Sequence, residues 1–226
     1  MGLSPFRPPF VALQAPARGR HNHGRRPDRM SRMAGSDHVN TASPAVRLTY
    51  DDFVHFPDDG RRHELIDGEH YVTPSPNTKH QRVSGTLHAL IWSYLDAHPI
   101  GQIFHAPFDV VFTRFDVVEP DILYLSNERA DAVLTEAHVT GAPEIVIEIA
   151  SKGTRKRDET IKRHRYEREG VLEYWIVDPE IDVVRVSRRQ GDALARPVEL
   201  SRRADEVLTT PLLPGLAIPL TRLFRV

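Results

Sequence analysis

Two carboxylates stand on runs that otherwise read as buried strands. Asp121 follows Pro120 and precedes Ile122-Leu123, and Glu148 lies within Glu144-Ile145-Val146-Ile147-Glu148-Ile149-Ala150-Ser151. A carboxylate inside an apolar strand is costly unless something pairs with it. Two of them on neighbouring strands would offer hard oxygen ligands to Mg²⁺, which needs only one or two protein carboxylates beside water and substrate phosphate. A cation held there would polarise a phosphoryl oxygen and lower the pKa of a bound water. The chemistry suggested is metal-assisted hydrolysis of a phosphodiester. Residues two apart on a strand share a face, so Glu148, Ala150 and Lys152 are expected on one side and Ile147, Ile149 and Ser151 on the other. If the two strands are neighbours, Asp121 reaches the face of Glu148.

The elements that must position these groups can be read from periodicity. Thr49 reads as the N-cap of a short helix with acidic residues in its first turn, and Asp67-Gly68 as a hairpin turn between two short strands. Residues 78–97 form the clearest amphipathic helix, with Val83, Leu87, Leu90, Ile91, Tyr94 and Leu95 spaced by three and four. From Ile103 the period becomes two, predicting strands over 103–113, 120–125, 144–151, 173–178 and 183–188. A helix or long loop is expected over 126–143. Thr154 to Glu169 reads as a helix capped by Thr154 and stopped at Gly170. The Pro-containing end of the chain reads as irregular. The pattern is that of a mixed α/β or α+β domain.

Composition sets bounds. The 226 residues suit one substantial domain with a tail, and the absence of Cys excludes disulfides, thiolate metal sites and Cys nucleophiles. No apolar run approaches membrane-spanning length. Residues 1–44 hold seven Arg and two Asp, a net of +5. The remainder holds 30−7 = 23 basic and 31−2 = 29 acidic residues, a net of −6. With its Pro, Gly and His and no apolar period, the segment 1–44 is expected to be disordered. It reads as an extension outside the fold, with a weak nucleic-acid arm or a targeting peptide as alternatives.

The run Glu144 to Asp178, with Glu148, Ser151, Thr154, Asp158, Lys162, Tyr166, Gly170-Val171 and Glu173-Tyr174-Trp175-Ile176-Val177-Asp178, resembles the Uma2-like (DUF820) proteins. These are predicted nucleases of the restriction-endonuclease-like PD-(D/E)XK superfamily. The resemblance extends to Pro120-Asp121, to His80-Gln81 and to Glu64-Leu65-Ile66-Asp67-Gly68-Glu69, and covers residues 46–226. It implies a restriction-endonuclease-like core with a central mixed sheet flanked by helices. It also implies a cytoplasmic Mg²⁺- or Mn²⁺-dependent endonuclease acting on DNA, with no membrane partner and a homodimer as an open expectation. On it, Asp121 and Glu148 are the metal-binding pair, the backbone carbonyl of Ile149 is a further ligand, and Glu64 is an acidic contribution from the N-terminal region.

The superfamily's Lys two residues after the strand Glu is missing, because that position is Ala150. The resemblance puts Lys162 of the following helix in its place, ahead of Lys152. Substrate contacts are expected from His80 and Gln81 at the start of the amphipathic helix, and from Arg155, Arg157 and Arg163 on the basic helix after the Glu148 strand. For Lys162 the competing reading is a surface ion pair with Asp158. For the arginines it is a solvated face. Two other functions remain open at this point: a non-cleaving binding or scaffolding protein that keeps the nuclease fold, and a metal-dependent hydrolase of small phosphorylated substrates.

Overall fold

In the computed structural model, residues 46–225 are described. The expected tail over 1–44 lies outside the described residues.

Helix α1 (Tyr50–Phe53) starts where the Asp52 carboxylate accepts from both the N–H and the hydroxyl of Thr49, each at 2.8 Å. Strands β1 (Arg62–Ile66) and β2 (Glu69–Thr73) form the expected hairpin, with Asp67 and Gly68 both at positive φ. That conformation suits the right-handed twist of the paired strands. Helix α2 (Thr78–Ala97) begins where the Asn77 side chain accepts from the N–H of His80 at 2.9 Å. It is followed by β3 (Gly101–His105), β4 (Val110–Thr113), β5 (Asp116–Val118) and β6 (Ile122–Ser126). Next come α3 (Asn127–Val133), β7 (Val139–Thr140) and β8 (Ile145–Ile149).

Helix α4 is composite. Arg155–Arg157 is α, Asp158–Lys162 is π, and Arg163–Glu169 is α again, stopped by Gly170 at φ +95°. Strands β9 (Glu173–Asp178), β10 (Val183–Gln190), β11 (Ala193–Leu194), β12 (Val198–Ser201), β13 (Val207–Leu208) and β14 (Ile218–Pro219) follow. Helix α5 (Leu220–Leu223) comes last.

The strands build a large mixed sheet, ordered β11-β10-β9-β8-β6-β3 with β12 also on β10, and a smaller one, ordered β2-β1-β5-β4-β7. Strands β6 and β8 are antiparallel, β8 and β9 parallel. A parallel neighbour needs a crossover connection, and α4 is that crossover. One face of the large sheet packs Ile122, Tyr124, Ile145, Ile147 and Trp175 against Val83, Leu87, Ile91 and Leu95 of α2 and against the C-terminal Leu220, Leu223 and Phe224. The other face packs Leu123, Val146, Tyr174 and Ile176 against Tyr166 of α4 and against Ile66, Val110 and Val118 of the smaller sheet. Asp121 and Glu148 share the parity of this second face.

Several expected boundaries move. The strand over 103–113 is two strands in two different sheets, separated by Pro107, which has no N–H to give to a ladder. Strand β8 ends at Ile149, and Ser151 and Lys152 lie beyond it in a turn. Lys152 is therefore not on the strand face of Glu148. The C-terminal stretch, expected to be irregular, contributes β13, β14 and α5 to the core.

A buried carboxylate cleft between the two sheets

The register pairs Ile122 with Ile147 across β6 and β8. One step further sets Asp121 opposite Glu148, where facing Cβ atoms lie about 4.5–5.5 Å apart. Both side chains are buried. Glu64 reaches the same place from β1 of the smaller sheet, where its Oε1 accepts from the N–H of Glu119 at 3.0 Å. Lys162 comes from the π segment of α4, with Nζ 2.6 Å from Glu148 Oε1 and 2.7 Å from Glu64 Oε1. A π turn carries one extra residue per ring and is frequent at functional sites. Here it directs both Asp158 and Lys162 inward, and the Asp158 carbonyl accepts from the Arg163 N–H and also from the Tyr174 hydroxyl at 3.0 Å. The surface pair with Asp158 is thus replaced by a buried one with two glutamates.

The rest of the lining completes the electrostatics. Asp121 Oδ1 pairs with Arg62 at 2.7 Å. Asp121 Oδ2 accepts from the Ile149 N–H at 2.7 Å and from His80 Nε2 at 3.2 Å. In an extended strand the N–H and C=O of one residue point to the same neighbour, so the Ile149 carbonyl lies on the Asp121 side. Tyr166 donates its hydroxyl to Glu148 Oε1 at 2.7 Å. Lys162 uses that same oxygen, and Glu148 Oε2 takes no hydrogen bond among the described residues. Arg157 donates to Thr73 Oγ1 at 2.5 Å and approaches Glu64 Oε2 at 3.4 Å.

Burial pushes Glu148 up to about 8 and Glu119 to about 7. Asp121 is also buried, yet the hydrogen bond from His80 and the Arg62 guanidinium hold it down at about 2. For Glu64 burial is outweighed by Lys162 and Arg157, and its carboxyl stays below the ordinary range. The ammonium of Lys162 is raised in spite of its burial by Glu148 and Glu64.

Asp121, Glu148, Glu64, Lys162, His80, Ile149 and Arg157 all line one cleft of about 380 Å³. Gln81 lines an adjoining cleft with His80. Arg155 and Arg163 do not reach either cleft. Arg155 is spent on Asp178, and Arg163 donates to the carbonyls of Leu194 and Ala195 at 2.8 and 3.1 Å. Arg62, Glu119 and Glu180 are charged lining residues that escaped the sequence reading. The two-residue period of strands points to the first, because Arg62 precedes Glu64 by two on β1.

The donor set fits a hard divalent cation. The cleft holds six carboxyl groups (Glu64, Glu119, Asp121, Glu148, Asp158, Glu180) beside four cations (Arg62, Lys152, Arg157, Lys162), and burial keeps Glu119 and Glu148 partly protonated near neutral pH. Glu64 Oε2 and Glu119 Oε1 are buried with no hydrogen bond, and each instead has a guanidinium at ion-pair distance, Arg157 at 3.4 Å and Arg62 at 3.3 Å. Among the described residues no three His, Cys, Asp or Glu side chains form a ready cage.

The two raised carboxyls make stability depend on pH. Glu119 and Glu148 have folded values of about 7 and about 8 against ordinary values of 4.5. Between those limits the folded chain binds more protons than the unfolded one. Stability is therefore fully present below the unfolded value and is lost as pH rises through the folded ones. In a chelator the melting temperature should fall from about pH 5.5 to about pH 8.5, and Mg²⁺ should stabilise most at the upper end. A flat profile, or equal stabilisation at both ends, would contradict it.

Residues 50–221, well over half of the chain, match the family model Uma2, described as "Putative restriction endonuclease". A solved structure described as "a putative nuclease belonging to DUF820" from Anabaena variabilis ATCC 29413 is similar in fold. Its TM-score is 0.67 with 22% identity over 79% of this chain and 98% of that one. The type IIG restriction endonuclease BpuSI gives a TM-score of 0.37 with 12% identity over 68% of this chain and 17% of that one, too low to carry an argument. No curated protein matches. No helix among the described residues is long and apolar enough to cross a membrane. With the strand-borne Asp121 and Glu148, the mixed sheet and the family match together, the chain belongs to the Uma2 family of restriction-endonuclease-like proteins.

Proposed function

We propose that this chain is a Mg²⁺- or Mn²⁺-dependent endonuclease that hydrolyses DNA phosphodiesters. The observation that supports it most is the meeting of Asp121, Glu148, Glu64 and Lys162 in one cleft, from two sheets and a helix. Asp121, Glu148 and the Ile149 carbonyl would hold the cation. When bound, it would supply Lewis-acid polarisation and a more acidic water.

The chain's own groups do the rest. Lys162, kept charged by Glu148 and Glu64, stabilises negative charge as it develops on the phosphoryl oxygens. Its setting is fixed in advance and costs no reorganisation. Arg62 and Arg157 bring guanidinium donors to the wall of the cleft and suit bidentate contact with phosphate. Tyr166 and Lys162 together fix the orientation of Glu148. Cutting both strands of a duplex would take two such clefts, which is how a homodimer enters this reading. A cytoplasmic setting supplies both DNA and Mg²⁺.

The test is nicking of supercoiled plasmid with Mg²⁺, with chelator, and by Asp121→Asn. Nicking by the wild-type chain alone, and only with the metal, is expected. Metal-dependent release of phosphate from mononucleotides without nicking would instead mark a hydrolase of small phosphorylated substrates. DNA binding with no metal-dependent cleavage would mark a non-cleaving binding protein.

A further inference from the structure

A second cleft of about 200 Å³ adjoins the first and shares three of its lining residues, Arg62, His80 and Asp121. The two form one trough with Arg62 and His80 at the waist. Beyond the waist its walls are Gln81, Ser84, Gly85 and His88 of α2, faced by His105 at the end of β3. His88 and His105 meet edge to face with ring centroids 4.8 Å apart.

This half of the trough is built for an anion that runs along the helix. Its single carboxylate, Asp121, is already paired with Arg62 and His80. Every other polar group there can donate a hydrogen bond. From Thr78 to Leu95, α2 contains Lys79 and Arg82 and no Asp or Glu, although the chain beyond residue 44 carries a net of 23−29 = −6. The floor is open, because a Cβ placed on Gly85 would meet nothing within 4 Å. His80 Nδ1 is buried without a partner in a side chain that lines both halves. From Gln81 to His88 the helix rises about 10 Å. That is room for one or two phosphate steps, because about 3.4 Å is the rise per nucleotide along a duplex axis and successive phosphates of one strand lie about twice as far apart.

We propose that this half of the trough seats the sugar–phosphate backbone next to the scissile phosphate of a nucleic-acid strand. Gln81, Ser84, His88 and His105 contact the flanking phosphates, and the strand passes over Gly85. The proposal rests on the nuclease reading and goes further, since it sets the path of the polymer. Arg155 and Arg163 of α4 cannot supply this path, because Asp178 and backbone carbonyls already occupy them.

The test is fluorescence anisotropy of a short labelled oligonucleotide with Ca²⁺ in place of Mg²⁺, so that binding is read without cleavage. Hydrolysis of bis(p-nitrophenyl) phosphate with Mg²⁺ is measured beside it. Gly85→Leu raises a wall in the trough and also favours the helix, so a melting curve at least as high as wild type confirms an intact fold. Binding should weaken about tenfold or more in Gly85→Leu, and by more than any loss in diester hydrolysis. Gly85→Ala should bind nearly as wild type, and His88→Ala should lie between. If Gly85→Leu binds as tightly as wild type, the strand does not cross α2, and the nuclease reading stands without this path. If the wild-type chain hydrolyses the diester but binds no oligonucleotide, the path is again wrong. If it does neither, the nuclease reading falls and takes the path with it.

Discussion

Lys162→Met is expected to destabilise the folded chain by about 3–5 kcal/mol, the range seen when one partner of a buried ion pair is removed. The Nζ lies within 2.7 Å of both Glu64 and Glu148, and its side chain is 3% exposed. Met fills a similar volume, so a cavity contributes little. The cost comes from carboxylates left in a dry site without their cation. At about 2–4 °C per kcal/mol for a domain of this size, the melting temperature should drop by about 6–20 °C. Adding Glu64→Gln should recover part of the loss, because it removes one stranded charge, and the double-mutant cycle would measure the coupling. A single mutant that melts within a degree or two of wild type would mean that Lys162 is not the counter-ion the geometry makes it.

The second large effect concerns turnover. Lys162→Arg keeps the positive charge and should lose far less stability than Lys162→Met, with overpacking as its main cost. Guanidinium is planar and forked where ammonium is a compact point charge, so it cannot place one donor between Glu148, Glu64 and a phosphoryl oxygen. Plasmid nicking should fall by about 10²–10³-fold, the loss usual when one preorganised donor is removed. The Mg²⁺ dependence of thermal stability should change little, because the carboxylates remain. Wild-type turnover in Lys162→Arg would reduce Lys162 to a structural cation. The exposed Lys152, which also lines the cleft, would then be the better candidate.

The parts of the fold with long uninterrupted periods are legible in the chain. The spacing of Val83, Leu87, Ile91 and Leu95 predicts α2 to its ends, and β9 has the bounds expected. Strands β5, β7, β13 and β14 are two or three residues long, too short for alternation to show. At the site, the nearness of Asp121 to Glu148 is legible because β6 and β8 are strong strands with facing parity.

The fate of the basic helix is not legible. Its arginines spell a positive face, but their acceptors Asp67, Asp116 and Asp178 arrive from strand ends and turns elsewhere in the chain. Charge count along one helix says nothing about partners supplied from a distance. Helix α2 is the reverse case, since Lys79 and Arg82 stand in its first turns and its one acidic residue, Asp96, lies at the far end.

The cleft is also a seam. Glu64 belongs to the smaller sheet, Asp121 and Glu148 to the larger one, and Lys162 to the crossover helix between β8 and β9. No one of these pieces holds the constellation alone. If the smaller sheet opens as a unit while the larger sheet and α2 persist, Lys162 loses Glu64 and the site comes apart before the core does. Such partial openings occur at free energies below that of global unfolding. Competence for chemistry is then a property of docking rather than of overall foldedness. Amide hydrogens of β1 that exchange more readily than those of β8 would report the fraction of molecules in which the cleft is momentarily unmade.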